Sequence, residues 1–365
     1  MRPTEFDYSD INNIETLKLK YGCVMKESRI NESMDANVEN AKMHIDFKRL
    51  IFIEKAEYME ITTFEDPDIK IDFIPADTCA YTVKNGVVHI TDVNDKNIEI
   101  KLTEFSQTVI YCKCGYLDPV IVHLLNLFME NGFLVLNNPN SVNISSNKYL
   151  TAKVMTDAGV NQPNYCLVKA SDCAIDDNGA FDKKLKEIYG NLKEDNKYVC
   201  KILDGHGGNG VFICTKKNIL SILQCVFSID KTRQILIQQA LKIKDGDIRV
   251  YLLTYNGKQE VVECITRKKN SKDFRTNICL GSTFEKFELT KEQEAFAKKA
   301  AIASGLTFAG VDMCIDENTG KLNLIEINGA PGAPVALNID KEQNHKQHVE
   351  YYQNFINILK KMLNE

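Results

Sequence analysis

The chain has 365 residues, of which 44% are hydrophobic and 26% charged, so it can bury a large core without a disulfide or a metal. Its 50 acidic and 45 basic residues leave a net charge of -5, which argues against a protein that coats nucleic acid. No apolar run reaches the roughly 18 residues of a membrane helix, and residues 1–10 lack the layout of a secretory signal. We therefore expect a cytoplasmic protein of about two or three structural units, without nucleic-acid or membrane partners.

The cysteines agree with a reducing compartment. All 12 are scattered, and the close pair Cys112 and Cys114 lacks the spacing of a zinc ribbon or a thioredoxin-type site. Others lie within apolar strand-like runs, such as Cys200 and Cys314, where a reduced thiol packs as a small hydrophobic side chain. The cysteines are therefore interpreted as core residues.

The first part of the chain divides into a polar arm and a small domain. Residues 1–45 are polar and show no sustained hydrophobic periodicity, so they are predicted to form an N-terminal extension. From 46 to 144, strand-like runs alternate with an amphipathic helix at about 118–131, and Asn85-Gly86 predicts a tight hairpin. Strands that alternate with helices indicate a small open α/β domain.

The remaining part, residues 145–365, mixes hairpins and helices. Thr290-Lys-Glu-Gln293 is a capping box, and it predicts a helix that ends at Ser304. Asn256-Gly257 predicts a second tight turn. The other predicted elements, in chain order, are a helix at 146–158, strands and hairpins over 165–285 with helical patches near 181–190 and 217–228, strands at 309–316 and 321–328, and a terminal helix at 346–363.

A glycine-rich segment runs from Asp204 to Val211. Its glycines fit the pattern G-x-G-x-x-G of dinucleotide-binding folds, but those folds need a helix directly after the glycines. Here Val211-Phe-Ile-Cys214 is strand-like, so the segment is predicted to be a hairpin loop, and a nicotinamide oxidoreductase is disfavoured. Without a Cβ, glycine lets backbone N–H groups approach a phosphate, although a plain surface turn is the alternative.

Three oxygen-bearing side chains, Asp312, Glu326 and Asn328, lie on two predicted neighbouring strands. Glu326 and Asn328 are two residues apart and share a face, and such ligands suit Mg²⁺ bound to substrate phosphates. A three-residue loop, 318–320, would set Asp312 opposite Glu326, whereas a four-residue loop would set it opposite Ile325. Because glycine favours the left-handed last position of such loops, we predict the three-residue loop; solvent-facing polar positions are the alternative.

Five cations are candidates for phosphate contacts. One of them, Lys201, lies within an apolar strand, where a lysine needs a partner or a ligand. The segment 267–275 is dense in positive charge and is either a solvated loop or a clamp on the negative charge of phosphoryl transfer. The five are Lys148, Lys201, Arg249, Arg267 and Arg275.

The order of these parts resembles the ATP-grasp superfamily, and within it the chain is most similar to RimK-type ligases, which add glutamate to a ribosomal protein's tail. The matching segments are Asn147-Lys-Tyr-Leu150, Val199-Cys-Lys-Ile202, the loop 205–210, Ile235-Leu-Ile-Gln-Gln239, Asp247-Ile-Arg249, Ile265-Thr-Arg267, Asp273-Phe-Arg-Thr-Asn277, Ala309-Gly-Val-Asp312 and Leu324-Ile-Glu-Ile-Asn-Gly-Ala-Pro-Gly332. The resemblance implies an α+β ATP-grasp fold over 145–365, with its lid part at about 160–240, preceded by a pre-ATP-grasp α/β domain over 46–144.

The resemblance also implies a role for each matching position. The loop would close over the ATP phosphates, the segment 238–241 would hold the adenine edge, and Asp247 would sit at the ribose hydroxyls. At Gln239 the family usually has Glu. The implied ATP-binding residues are Lys148, Lys201, Gly205, His206, Gly207, Gly208, Gly210, Gln238, Gln239, Ala240, Leu241, Asp247 and Arg249.

Catalytic and metal-binding roles follow in the same way. Arg267 and Arg275 would stabilise the transferred phosphoryl group or the acyl phosphate, and Asn277 would lie near the acyl site. Two magnesium ions, replaceable by Mn²⁺, would be held by Asp312, Glu326 and Asn328.

The implied activity is that of an ATP-dependent carboxylate-amine ligase. It would form an amide through an acyl phosphate and add an amino acid such as glutamate to a protein or peptide acceptor. A peptide macrocyclase, a small-molecule ligase of the glutathione-synthetase type and a non-catalytic nucleotide-binding regulator are the alternatives. Whether the protein forms a homo-oligomer is left open.

Overall fold

The structure of the protein is a computed structural model. It describes residues 45–91, 97–115, 117–173, 179–190, 193–205, 207–243, 246–268, 275–276, 282–335 and 340–364. The predicted N-terminal extension lies, apart from Ile45, outside these residues. Among the helices of the described ranges, none is both long and apolar enough to cross a membrane.

The described strands and helices alternate along the chain. The strands are β1 (Arg49–Glu54), β2 (Lys70–Pro75), β3 (Ala80–Lys84), β4 (Val87–Thr91), β5 (Asn97–Lys101), β6 (Thr108–Cys112), β7 (Leu134–Leu136), β8 (Tyr165–Lys169), β9 (Lys197–Ile202), β10 (Val211–Thr215), β11 (Gln234–Gln239), β12 (Asp247–Tyr255), β13 (Lys258–Lys268), β14 (Thr283–Lys286), β15 (Phe308–Ile315) and β16 (Leu322–Asn328). The helices are α1 (Ala56–Thr62), α2 (Pro119–Glu130), α3 (Pro139–Ser146), α4 (Lys148–Asp157), α5 (Ala180–Tyr189), α6 (Ile219–Ile229), α7 (Lys291–Ser304) and α8 (Lys341–Asn364).

The first sheet is parallel, with strand order β2-β1-β6-β7. Its central strands β1 and β6 are buried at almost every position, as expected for continuous apolar runs covered on both faces. Helix α2 covers one face with Leu124 and Phe128, and it begins where the Asp118 side chain accepts a hydrogen bond from the Val120 N–H. The sequence interpretation did not contain α1, which lies between β1 and β2.

A three-stranded antiparallel sheet, β3-β4-β5, lies between β2 and β6 in the chain. The predicted turn at Asn85-Gly86 is confirmed, since both residues have positive φ angles, of 53° and 73°. Val88 and Ile100 of this sheet pack into the same core as α2.

A four-stranded antiparallel sheet, β10-β9-β11-β8, carries α5 and α6 and has a hydrophobic core of its own. A five-stranded antiparallel sheet, β14-β13-β12-β15-β16, follows. We call these the lid sheet and the main sheet. Helices α4 and α7 pack on one face of the main sheet, and α7 begins with the predicted capping box between Thr290 and Gln293.

The predicted helix at 146–158 is α4 (Lys148–Asp157), and a further helix, α3, directly precedes it. Asn138 caps α3, and Pro139 occupies its first turn, where a missing N–H costs nothing. Asn147 then ends α3 and caps α4 by accepting hydrogen bonds from the Tyr149 and Leu150 N–H groups. The sequence interpretation took 137–140 as the end of a strand and therefore missed α3.

An aromatic core joins the first sheet, the main sheet and α8. Phe52 of β1 lies 5.4 Å from Tyr352 of α8, and Tyr111 of β6 lies 5.6 Å from Phe308 of β15, measured between ring centroids. The buried Asn137 amide adds polar contacts, because its Nδ2 donates to the Phe308 carbonyl at 2.6 Å. These contacts fix β15 and β16 relative to the first sheet.

Candidate active site

A cavity of about 430 Å³ lies between the lid sheet and the end of the main sheet. Strands β9, β10 and β11 form one wall, the segment 240–243 follows β11, and Lys148 and Glu326 contribute from α4 and β16. The predicted site residues that line it are Lys148, Lys201, Gly205, Gly208, Gln238, Gln239, Ala240, Leu241, Arg275 and Glu326. The structure therefore brings together the residues expected at the adenine and at the phosphates.

The other predicted site residues have different positions. Gly207 and Gly210 belong to the glycine loop but do not line the cavity, and Asn328 lies two residues beyond Glu326 on β16. His206 and Asn277 lie outside the described residues. The remaining four are Asp247, Arg249, Arg267 and Asp312, which lie on the main sheet and contact one another.

The glycine loop connects two antiparallel strands, as predicted. Val211 pairs with Lys201, and the Ile202 N–H donates to the Gly210 carbonyl at 2.9 Å. Gly210 has a φ of 70°, and a Cβ there would collide with the Ile202 side chain. A strand thus follows the glycines, which removes the dinucleotide-fold interpretation.

Two cations hold the glycine loop from the cavity side. Lys148 Nζ donates to the Gly205 carbonyl and lies 3.6 Å from Glu326 Oε1. Arg275 Nη1 donates to the Gly208 carbonyl at 2.7 Å. The side chains expected at phosphate therefore lie directly beneath the loop expected to cover it.

Lys201 occupies the cavity wall between the lid sheet and β16. Its Nζ lies 3.4 Å from the Ile325 carbonyl oxygen. Desolvation lowers the pKa of Lys201 to about 8, although the Glu326 carboxylate opposes this shift. An anionic ligand would stabilise the charged form of this lysine.

The loop between β15 and β16 has four residues, so the predicted three-residue loop is wrong. The Asp316 N–H donates to the Lys321 carbonyl at 3.0 Å, and the Gly320 N–H donates to the Asp316 carbonyl at 2.7 Å. Gly320 does take the expected left-handed conformation, with a φ of 69°. The Asp316 side chain stabilises the longer loop by accepting from the Thr319 hydroxyl at 2.9 Å.

A β-bulge on β16 corrects the register that this loop imposes. Beyond the loop Met313 pairs with Leu324, but Asp312 pairs with Glu326, so Ile325 is the extra residue. The predicted placement of Asp312 opposite Glu326 is confirmed, with the bulge rather than the loop as its cause. The same bulge presents the Ile325 carbonyl to Lys201.

The four charged residues of the main sheet form a buried cluster, which we call the Asp-Arg quartet. Asp312 accepts from Arg249 Nε and Nη2 at 2.6 Å each, and its Oδ2 lies 2.8 Å from Arg267 Nη2. Arg267 also donates from Nε to Asp247 Oδ1 at 2.9 Å. Burial works against ionisation of Asp312, but the two guanidinium groups outweigh it and hold the pKa of Asp312 below its ordinary value.

The oxygen donors near Glu326 fit a magnesium ion. Glu326 and Asn328 share a face of β16, and Asp312 lies across from Glu326. The Asn328 Nδ2 atom is buried without a hydrogen-bond partner in the described part of the chain, so this N–H₂ could donate to an anionic ligand while Oδ1 faces a cation. Within the same residues no three His, Cys, Asp or Glu side chains form a metal cluster. Because Mg²⁺ keeps several waters and phosphate oxygens, two carboxylates and an amide suffice.

Sequence reasoning missed several residues that line the cavity. Lys197 and Val199 precede Lys201 at two-residue spacing, so all three point to one face of β9. Once Lys201 was predicted to contact phosphate, the two-residue period of a strand could have identified Lys197 as a second cation of the same face. Lys242 and Thr276 gave no comparable signal, because both lie outside regular elements.

A model of the RimK-like ATP-grasp domain matches residues 145–346, more than half of the chain. The chain belongs to the RimK-like ATP-grasp family. The tetrahydromethanopterin:alpha-L-glutamate ligase of Methanosarcina acetivorans is 25% identical over 256 residues, which cover 64% of this chain and 74% of that protein. A probable alpha-L-glutamate ligase of Histophilus somni is 25% identical over 280 residues, covering 73% of this chain and 84% of that protein.

Solved structures confirm the predicted fold class. The structure of the ATP-grasp ligase PsnB, complexed with a minimal precursor, superposes with a TM-score of 0.56 at 14% identity. The match covers 84% of this RimK-like chain and 100% of the PsnB chain. The D-alanyl-alanine synthetase A of Vibrio cholerae covers 85% of this chain and 98% of its own, with a TM-score of 0.55 at 12% identity. The protein is therefore an ATP-dependent ligase that forms C–N bonds on an α+β ATP-grasp fold, and its family binds ATP with Mg²⁺.

Proposed function

We propose that this ligase joins an amino acid such as glutamate to a protein or peptide acceptor through an acyl phosphate. The observation that carries the proposal is the cavity in which Lys148, Lys201 and Arg275 surround Glu326 beneath the glycine loop. The relatives named alpha-L-glutamate ligases support glutamate as the amino acid. A structure of PsnB with its precursor peptide PsnA2 supports a peptide acceptor.

ATP would lie with its adenine against the segment 238–241 and its phosphates against the glycine loop. Ile213 and Leu241 provide apolar surface at the adenine end of the cavity. Lys148 and Lys201 lie at the other end, beside Glu326, and would contact the phosphates. When nucleotide binds, the Lys148 and Arg275 contacts with loop carbonyls would give way to contacts with phosphate oxygens.

Glu326 and Asn328 would hold the metal together with Asp312, which lies opposite Glu326. The metal would share Asp312 with Arg249 and Arg267, since the oxygens of Asp312 already accept from both arginines. Bound Mg²⁺ neutralises phosphate charge and orients the γ-phosphate. A second ion and substitution by Mn²⁺ stay predictions.

The reaction would proceed in two steps. A carboxylate oxygen of the first substrate attacks the γ-phosphorus of ATP, and the bond from that phosphorus to the β–γ bridging oxygen breaks. The products of this step are an acyl phosphate and ADP. The amine nitrogen of the second substrate then attacks the acyl carbon, phosphate leaves, and the nitrogen loses a proton to give the amide. Arg275 would stabilise the transferred phosphoryl group from the cavity, and Arg267 from the adjacent quartet; Asn277 near the acyl site stays a prediction.

The test is incubation of the protein with ATP, Mg²⁺, one amino acid at a time and candidate acceptor proteins or peptides, read out by intact mass and ADP release. A mass increase equal to one or more amino-acid residues, with equimolar ADP, supports the proposal. Loss of water from a peptide acceptor instead indicates a macrocyclase, and amide formation between free amino acids indicates a small-molecule ligase. If ADP never forms with any acceptor, the proposal fails.

A further inference from the structure

The segment 240–243 leads from β11 of the lid sheet toward β12 of the main sheet, and all four of its residues line the cavity. The lid sheet holds the beginning of this segment, because the Ala240 N–H donates to the Lys197 carbonyl at 3.0 Å. The main sheet holds it two residues later, through the loop between β15 and β16. The segment is therefore attached to both sheets between which the cavity lies.

Lys242 is the residue that the main sheet holds. Its N–H donates to Asp316 Oδ1 at 3.2 Å, and its carbonyl accepts from the Glu317 N–H at 2.9 Å. Its Nζ also lies 3.1 Å from Glu317 Oε2, but the lysine side chain is 68% exposed, so this ion pair contributes little. The two main-chain contacts therefore provide most of the attachment.

Asp316 joins this attachment to the loop itself. The residue is 6% exposed, and besides the Lys242 N–H it accepts from the Thr319 hydroxyl at 2.9 Å and from the Asn318 N–H at 3.4 Å. The carboxylate that stabilises the four-residue loop is thus the same group that reaches the cavity segment. Removing it would leave the Lys242 N–H without this charged acceptor and free the segment to change direction.

We propose that Asp316 is a positioning residue for adenine, which acts by holding the Lys242 main chain and so fixing the direction of the segment 240–243. The inference rests on the proposed function, in which adenine lies against residues 238–241. Adenine presents a donor at N6 and an acceptor at N1, and main-chain groups distinguish this pattern only when their directions are fixed. Leu241, between the two held residues Ala240 and Lys242, lines the cavity at this point.

The experiment compares the binding of ADP·Mg²⁺ and of inosine diphosphate (IDP) with Mg²⁺ by calorimetry. The base of IDP has an acceptor at C6 and a donor at N1, the reverse of adenine, so the ratio of the two affinities reports how well the segment recognises the base. Asp316→Ala should weaken ADP binding about tenfold and IDP binding no more than about twofold. Asp316→Asn should keep the wild-type ratio within about twofold, because its amide oxygen can still accept from the Lys242 N–H.

Asp66→Ala is the matched control. Asp66 also accepts from main-chain N–H groups of its own loop, those of Asp68 at 2.9 Å and Ile69 at 3.0 Å, and its side chain is 7% exposed. It lies between α1 and β2 and does not line the cavity. Asp66→Ala should lower the unfolding temperature and leave the ADP-to-IDP ratio unchanged. A ratio reduced as much as in Asp316→Ala would assign the effect to general loss of stability and overturn the proposal.

Three further results would overturn the positioning role. One is an equal weakening of ADP and IDP binding in Asp316→Ala, another is an unchanged ratio in that variant, and the third is a ratio lost in Asp316→Asn. If Asp316→Ala does not fold, Asp316→Ser decides, because its hydroxyl can still accept from N–H groups of the loop but is too short to reach Lys242. Asp316→Ser should lose the preference for ADP, and a wild-type ratio in it would contradict the proposal.

The proposed function can fail independently. If no acceptor is ever modified but the ratio falls in Asp316→Ala, the positioning role stands and the ligase substrates must be reconsidered. If the wild type binds ADP and IDP equally well, the segment does not recognise the adenine edge and the positioning role is wrong.

Discussion

The cavity and the Asp-Arg quartet hold similar side chains in opposite arrangements. Among the described residues, five cations line the cavity with a single carboxylate, Glu326, and burial lowers the pKa of Lys201 there. In the quartet two arginines and two aspartates neutralise one another, with side chains between 0% and 14% exposed. An excess of cations around a cavity indicates a polyanionic ligand, whereas balanced buried pairs indicate fixed geometry. The charges of the cavity therefore serve ligand binding, and those of the quartet fix the geometry of neighbouring strands.

The largest expected effect comes from breaking the quartet. Arg249→Met removes both hydrogen bonds to Asp312 and leaves that buried carboxylate with Arg267 alone. We expect a loss of about 3–5 kcal/mol in the free energy of unfolding. Urea titration measures it. The exposed Lys268–Glu285 pair is the control, where Lys268→Met should cost only about 0–1 kcal/mol. Equal losses in the two variants would remove the structural role of the quartet.

Glu326→Gln tests the cavity side of the comparison. It removes the only carboxylate among the lining residues that the structure describes, while keeping the size of the side chain. We expect ADP production to fall by roughly 100-fold or more, because charge stabilisation at the phosphates depends on the metal that Glu326 would hold. Coupled-enzyme detection of ADP measures the rate, with Glu285→Gln as the control. Activity retained in Glu326→Gln would contradict the metal assignment.

Lys201 should give nucleotide binding a pH dependence. Its pKa of about 8 lies below the ordinary value for lysine, so the free protein carries the charge below pH 8 and loses it above. ADP favours the charged form, so affinity should fall as the pH rises through about 8, with proton uptake on binding. Lys201→Met should weaken ADP binding about tenfold and flatten the profile. Calorimetry between pH 7 and 9 is the measurement, and a steep profile in Lys201→Met would assign the titration to another group.

The smallest effect is expected at Lys197, at the exposed beginning of β9. Lys197→Met should weaken ADP binding by only about two- to fivefold, because solvent screens an exposed charge. The effect should vanish at high salt, unlike that of Lys201→Met. A loss at Lys197 as large as at Lys201 would mean that the phosphates lie nearer the outer edge of the cavity.

Local sequence signals predicted much of the fold. Asn85-Gly86 and the Thr290 capping box depend on residues a few positions apart, and both are confirmed. Helix α3 was missed because Asn138 and Pro139, which cap and begin it, also fit a turn after a strand. The Ile325 bulge was also missed, since its cause is the fit of β16 to β15 and not a residue preference.

Site residues were predictable where a local pattern marks them. Lys201 interrupts an apolar strand, and Gly205 belongs to a glycine-rich loop. The quartet was not predictable, because its ion pairs join residues 20 and 63 positions apart through strand register. The resemblance implies a ribose contact for Asp247, and the structure shows its carboxylate paired with Arg267. Pairing of this kind becomes visible only when β12, β13 and β15 lie side by side.

The most direct test of the central claim is a crystal structure of the protein with ADP and Mg²⁺. The account predicts Lys148 and Lys201 Nζ within hydrogen-bond distance of phosphate oxygens, and adenine against residues 238–241. A nucleotide bound outside this cavity, or one with its phosphates away from both lysines, would contradict it.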